Sequence, residues 1–276
     1  MTLWEAIWKS SLLGTVQGLT EFLPVSSSGH LSLLQRLLGF DLTGGSMTLV
    51  NLMLHLGTLL SVCIVFRRDI VALFKKPFRT LLMLVVATVP AAVVGLIFHS
   101  QIDALFAGAD GLLYLSVCFA VTALLLLSTE FAAKRRKRHF DLNWGNTAAM
   151  GIAQAVALFP GISRSGSTIA AGTFAGAKPE KLAKFSFLMS IPVILGGFAV
   201  GMKDAVFPSE GVAIAFGFNE IVGMLFGVAF AAFFGFLAIG VMLKVIGKGN
   251  YKWFACYLVI LSLTCFWLDA ISAVPY

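Results

Sequence analysis

The chain alternates between long apolar stretches and short polar connections, a pattern that predicts membrane-spanning helices rather than a soluble core. Crossing a bilayer takes about 20 mostly apolar residues in a helix. Six stretches meet this requirement, at about 47–66, 80–98, 111–130, 185–203, 219–243 and 252–270.

Two further stretches, about 10–38 and 147–176, are apolar but contain Gly, Ser and Pro in their middle. Pro24 is predicted to end the first helix of the first stretch, because a residue before proline disfavours the helical conformation. His30 would then open the next helical run, and Pro160-Gly161 breaks the second stretch. Both stretches are therefore predicted to enter and leave the membrane on one side, as re-entrant elements.

The composition agrees with a membrane protein. Hydrophobic residues make up 59% of the chain, the mean hydropathy is +0.93, and only 12% of the residues are charged. Ordinary soluble domains have roughly 25% charged residues. The four cysteines lie within apolar runs and lack zinc-site spacing, so neither a zinc site nor a disulfide framework is predicted.

The net charge of +7 raises the alternative of nucleic-acid binding, but the placement of the charges argues for topology instead. Cytoplasmic loops are enriched in Lys and Arg. With the N-terminus outside, the basic clusters at 67–79, 134–138, 178–184 and 244–252 all fall inside. The run KRRKR (134–138) therefore indicates a topology anchor, with a nucleic-acid or anionic-lipid site as the alternative.

The chain also contains an internal duplication. Without a gap, GTVQGLTEFLPVSSSG (14–29) aligns with GIAQAVALFPGISRSG (151–166), and Gly, Gln, Phe, Ser, Ser and Gly coincide. Each half, about 1–133 and 140–276, then holds one re-entrant element and three spans. Because three is odd, the second half is inverted relative to the first. In such folds the broken elements meet near the midplane and form the site.

The predicted fold is thus an all-α polytopic membrane protein that forms one membrane domain over 1–276. It has six transmembrane helices plus two re-entrant helix-loop-helix elements in inverted-topology repeats.

The two re-entrant elements contain the polar residues from which a site is predicted. Gln17 and Glu21 are four residues apart and share one helix face. The loops at 26–29 and 163–168 each lead into a helix N-terminus, where free N–H groups and the helix dipole favour an anion. Two facing loops suit a ligand with two phosphates. The candidate phosphate-binding residues are Gln17, Ser26, Ser28, Gly29, Ser163, Ser165, Gly166 and Thr168, with Ser27 and Ser167 as further hydroxyls.

Arg164 is the strongest indication of function in the sequence. A charged side chain inside a membrane segment is costly and normally faces a cavity or a partner. A guanidinium can also grip phosphate oxygens at two points. In the repeat alignment Arg164 matches Ser27, while Glu21 and His30 match Leu158 and Ser167. One half thus supplies an acid and an imidazole and the other supplies the guanidinium.

Each of these signals has a structural alternative when taken alone. Serines before a helix usually serve as N-caps, Glu21 can be a hydrogen-bonded buried acid, and His30 a histidine satisfied at a helix start. The combination favours a functional site. Two other histidines are less informative: His55, about one helical turn from Asn51, is expected to line the cavity, and His99 to lie at the outer interface.

At these residues the sequence resembles the bacterial undecaprenyl-diphosphate phosphatase family of the bacitracin-resistance type. The matching segments are QGLTEFLPVSSSGH (17–30) and PGISRSGST (160–168), and the two together are highly specific. The resemblance covers essentially the whole chain in length, duplication and order of spans. The family's first motif has Glu or Gln, three residues, then Glu. Here Gln17 takes the first position, which counts against any mechanism that needs two acids to hold a metal.

The resemblance implies an enzyme that removes the terminal phosphate from undecaprenyl diphosphate, recycles the carrier for peptidoglycan and cell-wall polymer synthesis, and confers bacitracin resistance. It implies a multi-pass protein of the bacterial cytoplasmic membrane, and the basic residues predict a site open to the periplasmic side. A divalent cation, Mg²⁺ or Ca²⁺, is expected, held by Glu21 and substrate phosphates. The expected partners are the polyprenyl diphosphate lipid and membrane lipids, not nucleic acid, with a homo-oligomer left open.

The predicted catalytic residues are Glu21, Ser27, His30 and Arg164. Arg164 and the loop amides would bind the diphosphate and stabilise the charge that develops in transfer. Three routes stay open: Ser27 as nucleophile with His30 or Glu21 as base, His30 as nucleophile oriented by Glu21, and water activated by Glu21.

A lipid-phosphate transporter or flippase that uses the same inverted-repeat site is the alternative function, since broken helices in inverted repeats are typical of carriers. A structural scaffold fits poorly with a buried set of Arg, Glu and His.

Overall fold

The computed structural model describes residues 1–39, 45–98, 101, 111–135, 139–159, 161–206 and 217–272. These residues form helices, and none of them lies in a named strand. In chain order the helices are α1 (Leu3–Phe22), α2 (Ser27–Leu37), α3 (Gly45–Val65), α4 (Arg67–Leu73), α5 (Arg79–Ile97), α6 (Leu112–Arg135), α7 (Trp144–Val156), α8 (Arg164–Phe174), α9 (Pro179–Val206), α10 (Phe218–Lys248) and α11 (Lys252–Ser272).

Five of the described helices are long and apolar enough to cross a membrane, and they cover Arg79–Ile97, Leu112–Arg135, Pro179–Asp204, Phe218–Ile246 and Lys252–Ile271. A sixth candidate is the pair Leu49–Val65 and Arg67–Leu73, which is bent by 80°. The six predicted stretches are therefore found as five helices and one bent pair. The chain is all-helical, and its apolar helices fit a multi-pass integral membrane protein.

Both predicted breaks are present, the first between α1 and α2 and the second between α7 and α8. The prediction that His30 opens the helix after the first break is wrong, because α2 already begins at Ser27. Its start is fixed by Ser26, whose hydroxyl accepts a hydrogen bond from the Gly29 N–H at 3.3 Å. At the second break Gly161 has φ 84°, a left-handed conformation that glycine adopts without strain. Pro160 and His99 lie outside the described residues.

Small residues allow the broken elements to pack closely against long helices. α1 lies against α10, and a Cβ added at Gly14 would be 2.1 Å from the Gly227 carbonyl oxygen. α7 lies against α5, and a Cβ added at Gly151 would be 2.5 Å from the Ala87 carbonyl oxygen. Gly14 and Gly151 are aligned in the sequence duplication. Each therefore allows its own helix backbone to touch a helix from the other half of the chain.

The remaining helix contacts place the two breaks, which contain the candidate site residues, in the interior of the protein. α6 packs along α11, and α3 packs against α9 and α10. The buried core includes Phe22, Met150 and Ile169, which come from the elements that flank the breaks. By contrast, large apolar residues such as Trp267 on α11 are exposed, as expected for helix faces that meet lipid.

Several polar contacts join the connections that carry basic residues. Lys184 at the start of α9 pairs with Asp69 in α4. Lys178 and Lys181 both contact Asp141, at 2.7 and 3.0 Å, and these hydrogen bonds hold the pKa of the Asp141 carboxyl below its usual value. Asp141 therefore stays ionised at neutral pH, and this link between the connections is lost only as the pH falls through the lowered pKa. The loops before α5, α7 and α9 thus lie at one end of the molecule.

The packing of α6 along α11 is antiparallel, with a polar contact at each end. At the end of α6, Glu130 accepts a hydrogen bond from the backbone N–H of Lys252, the first residue of α11. At the other end, the Leu113 N–H donates to Asp269 at 3.3 Å. Two buried serines between them, Ser116 and Ser262, also bond to each other.

We expect Gly14→Ala to destabilise the protein by about 1–3 kcal/mol, since the added methyl would overlap the α10 backbone, which cannot move aside as a flexible side chain could. The measurement is thermal unfolding of the detergent-solubilised protein. Gly240→Ala is the matched control on α10, where an added Cβ meets no atom within 4 Å. Equal stability of the two variants would contradict the close packing of α1 on α10.

Candidate active site

Glu21 lies at the centre of the polar residues that the sequence singled out. It is 7% exposed at the end of α1. Its Oε2 atom accepts hydrogen bonds from Ser27 Oγ at 2.7 Å and from Gln17 Nε2 at 3.1 Å. Its Oε1 atom pairs with Arg164 Nη2. Residues of both broken elements therefore meet on one buried carboxylate.

Local structure explains why these side chains converge. Gln17 and Glu21 are four residues apart in α1, so they lie on one face of the helix. The chain reverses over 23–26, and Ser27 as the first residue of α2 comes back beside the last turn of α1. Arg164 is likewise the first residue of α8. The two helix N-termini thus point their first side chains at the same carboxylate.

The pair formed by Arg164 and Glu21 is buried, with side chains that are 14% and 6% exposed. Neither charge is stable in such surroundings without the other. Arg164 contacts Glu21 through its Nη2 atom. Its Nη1 atom is buried and bonds to no described residue. That nitrogen is a cationic donor within the site and is available to an anionic ligand.

The two loops also touch each other directly. Ser165 Oγ, from the second element, donates to the Leu23 carbonyl oxygen at 2.9 Å. The Gly161 N–H donates to Ser28 Oγ of the first element at 3.2 Å. These contacts hold the loops face to face, as the sequence analysis expected for a site with two anion-binding loops.

Several hydroxyls predicted to bind phosphate take part in structural hydrogen bonds. Ser26 and Ser163 cap α2 and α8, by accepting from the N–H groups of Gly29 and Gly166. Thr168 is fully buried, and its hydroxyl lies 2.7 Å from that of Ser186 in α9. Phosphate contacts by these hydroxyls stay a prediction, and the first-turn backbone and Arg164 are the donors that the geometry favours.

His30 bonds to groups other than Glu21. Its Nδ1 atom lies 2.7 Å from the Ser26 carbonyl oxygen, and its Nε2 atom lies 2.6 Å from the hydroxyl of Tyr257. The ring stacks on Tyr257 and meets Phe119 edge-on, with centroid distances of 5.6 and 5.5 Å. Both ring nitrogens therefore bond to groups other than Glu21. The route in which Glu21 orients the His30 ring has no supporting contact in this structure.

The imidazole beside Glu21 is that of His55. Its Nε2 atom lies 3.6 Å from Glu21 Oε2, and its Nδ1 atom lies 2.7 Å from the Asn51 carbonyl oxygen. A carbonyl only accepts, so Nδ1 carries a hydrogen, and the contact with Glu21 is attractive when Nε2 is protonated as well. His55 lies beside the Arg164–Glu21 pair, where the sequence analysis placed it only along a cavity.

The first loop contains backbone strain. Ser26 has φ 69°, and it is the only described residue other than glycine with a positive φ. Such a conformation costs about 1–3 kcal/mol and persists only where the surroundings fix it. Ser163, the aligned residue of the second loop, has an ordinary extended conformation with φ −69°. The two loops therefore cap their helices in the same way but approach them differently.

A model of the family described as bacitracin resistance protein BacA matches residues 10–264. The chain belongs to this family. The match covers both broken elements and thus every residue that meets at Glu21.

Proteins similar to this chain are named undecaprenyl-diphosphatase. A protein of Carboxydothermus hydrogenoformans is 38% identical over 264 residues, 95% of this chain and 97% of its own length. One from Thermotoga petrophila is 45% identical over 192 residues, 70% of this chain and 78% of its own. One from Methanobrevibacter smithii is 38% identical over 282 residues, 94% of this chain and 96% of its own.

Tyr257 was missed in the sequence of this BacA-family chain as a neighbour of the site, and Gln154 was missed as a buried polar residue. Tyr257 is an ordinary residue of an apolar span, and nothing local in the sequence marks its contact with His30. Gln154 aligns with Gln17 and is fully buried, yet neither of its amide atoms bonds to another described residue. Gln154 lacks such a partner because Leu158 occupies the position in the second element that Glu21 occupies in the first. The duplication was the signal that could have identified Gln154.

We expect Arg164→Gln to lower the free energy of unfolding by about 3–5 kcal/mol, because it leaves the buried Glu21 carboxylate without its cation. Adding Glu21→Gln should recover much of this loss, since the double variant leaves no uncompensated charge. Denaturation of the purified protein in detergent measures both effects. If the double variant lost the sum of the two single losses, Arg164 and Glu21 would not be coupled.

Proposed function

We propose that this protein hydrolyses undecaprenyl diphosphate to undecaprenyl phosphate and inorganic phosphate, and so recycles the lipid carrier of cell-wall polymer synthesis. The relatives named undecaprenyl-diphosphatase support this activity over nearly the whole chain. The observation that carries it here is the buried cluster of Arg164, Glu21 and Ser27 between two facing helix N-termini. This arrangement combines an anion-binding environment with a hydroxyl and a base.

In the proposed mechanism, Ser27 Oγ attacks the terminal phosphorus and Glu21 takes its proton. The hydrogen bond from Ser27 Oγ to Glu21 Oε2 already sets the direction of that transfer. The bond between the terminal phosphorus and the bridging oxygen breaks, and undecaprenyl phosphate leaves with the bridging oxygen. Water then releases phosphate from Ser27. Arg164 Nη1 and the first-turn N–H groups stabilise the charge on the transferred group.

A divalent cation fits this donor set only together with the substrate. No group of three or more His, Cys, Asp or Glu residues that could hold a metal is found among the described residues. Glu21 is the one carboxylate in the cluster. The buried Oε1 atom of Gln17, which has no partner among the described residues, is a hard oxygen ligand beside it. Mg²⁺ or Ca²⁺ held by Glu21, Gln17 and diphosphate oxygens would offset phosphate charge.

The proposed membrane arrangement counts α3–α4 as one bent span with the five other spans, and treats α1–α2 and α7–α8 as re-entrant. The contacts of Lys184 with Asp69 and of Lys178 with Asp141 support it, because they gather basic connections at one end of the molecule. Enrichment in Lys and Arg makes that end cytoplasmic. The packing of Gly14 on α10 and of Gly151 on α5 supports inverted repeats over 1–133 and 140–276.

The proposed function is tested by phosphate release from undecaprenyl diphosphate by the purified protein. We expect Arg164→Lys to lower kcat/KM at least 100-fold while it keeps the charge beside Glu21. Lysine is a point charge and lacks the second nitrogen that the fork presents to a phosphate.

Lys203→Arg, a basic residue near the end of α9 and far along the chain from both loops, is the control and should keep full activity. Near-normal turnover by Arg164→Lys would contradict the role given to the guanidinium. If the protein moved the intact diphosphate lipid across the vesicle membrane without releasing phosphate, a carrier function would be favoured instead.

The cation proposal predicts the behaviour of Gln17→Glu. This change places a second carboxylate beside Glu21, at the position where the amide nitrogen now donates at 3.1 Å. We expect activity without added cation to fall, because two carboxylates repel, and the Mg²⁺ concentration for half-maximal rate to decrease at least several-fold. Titration of phosphate release with Mg²⁺ and Ca²⁺ after chelation measures it. An unchanged dependence would show that no cation binds at Gln17 and Glu21.

A further inference from the structure

A chain of two hydrogen bonds connects the last helix to the first phosphate loop. Tyr257, five residues after α11 begins, places its hydroxyl 2.6 Å from His30 Nε2. His30 Nδ1 lies 2.7 Å from the Ser26 carbonyl oxygen. Since a carbonyl only accepts, Nδ1 carries the hydrogen, and in the neutral ring Nε2 accepts from the Tyr257 hydroxyl. The direction of every hydrogen bond in this chain is therefore defined.

The end point of this chain is the strained residue of the site. Ser26 alone among the described non-glycine residues has a positive φ, and its carbonyl oxygen receives both the His30 ring and the His30 backbone N–H, at 2.7 and 3.2 Å. A left-handed serine persists only where neighbours fix it. The next residue is Ser27, whose hydroxyl bonds to Glu21. The conformation of Ser26 thus sets where Ser27 points.

The second loop provides an internal comparison. Ser163 caps α8 just as Ser26 caps α2, with cap distances of 3.1 and 3.3 Å. Ser167 stands where His30 stands, so no imidazole reaches back to the cap residue, and Ser163 has an unstrained backbone. Capping alone therefore does not require the left-handed conformation. In the first loop, the left-handed conformation occurs together with the His30 imidazole, which Tyr257 holds in place.

We propose that Tyr257 is a positioning residue for the phosphatase reaction, which through His30 holds Ser26 in its left-handed conformation and so aims Ser27 at Glu21. The inference rests on the proposed function. Tyr257 acts from a distance and needs no contact with substrate. Its ring fixes the plane of the imidazole by stacking, with 16° between the two rings, and its hydroxyl fixes the rotation.

The test is steady-state phosphate release by Tyr257→Phe, which keeps the stacked ring and removes only the hydroxyl. We expect kcat to fall about 10-fold with KM within about twofold, since the substrate still binds but Ser27 is no longer held in line for the transfer. In a His30→Asn background the same change should have no further effect, because Tyr257 acts through His30.

A second variant tests the role of the backbone. Asparagine adopts the left-handed conformation more readily than serine and is as good an N-cap. Ser26→Asn should therefore restore part of the kcat lost in Tyr257→Phe. Trp267→Phe, an exposed aromatic on the same helix, is the matched control and should be unchanged.

Three results would overturn the inference: wild-type kcat in Tyr257→Phe, an equal loss in the His30→Asn background, or no recovery with Ser26→Asn. These are distinct from failure of the proposed function, which would appear as absence of phosphate release from the wild-type protein.

Discussion

The ion pair between Arg164 and Glu21 is the interaction on which the rest of the structure depends. Both charges are buried within apolar helices, so each needs the other, and each sits at the break of a different element. Non-helical backbone inside a membrane is tolerated only where protein or water satisfies it. The pair draws the two breaks together, and the loop contacts then satisfy the Leu23 carbonyl, through Ser165, and the Gly161 N–H, through Ser28.

Duplication explains how one chain obtains two matched loops at helix N-termini, and departure from the duplication explains why Glu21 and Arg164 can pair. The caps Ser26 and Ser163 and the packing glycines Gly14 and Gly151 are the shared part. A perfectly repeated site would present two acids or two guanidiniums to each other across the interface, which like-charge repulsion disfavours. Placing Glu21 in one copy and Arg164 in the other converts that repulsion into a stabilising pair.

Much of this could be predicted from sequence because it depends on local spacing. The helix face shared by Gln17 and Glu21, the capping serines and the cost of Arg164 in an apolar segment are all local properties. The partner of His30 could not be predicted, since Tyr257 is 227 residues away and lies in an ordinary span. The bend of 80° between α3 and α4 was also missed, because hydropathy reports length and polarity but not direction.

The serines of the loops show why a polar motif does not translate directly into ligand contacts. A helix that starts inside an apolar environment needs hydrogen-bond acceptors for its first N–H groups. The hydroxyl oxygens of Ser26 and Ser163 accept these hydrogen bonds. The caps use the oxygen lone pairs, so only the hydroxyl hydrogens of these serines remain to be donated to an anion. The donor that makes no hydrogen bond within the described part of the protein, and so remains for an anion, is chiefly the Nη1 atom of Arg164. Arg164 is therefore the donor that the structure leaves most available to an anion, while the serines around it hold the loops in shape.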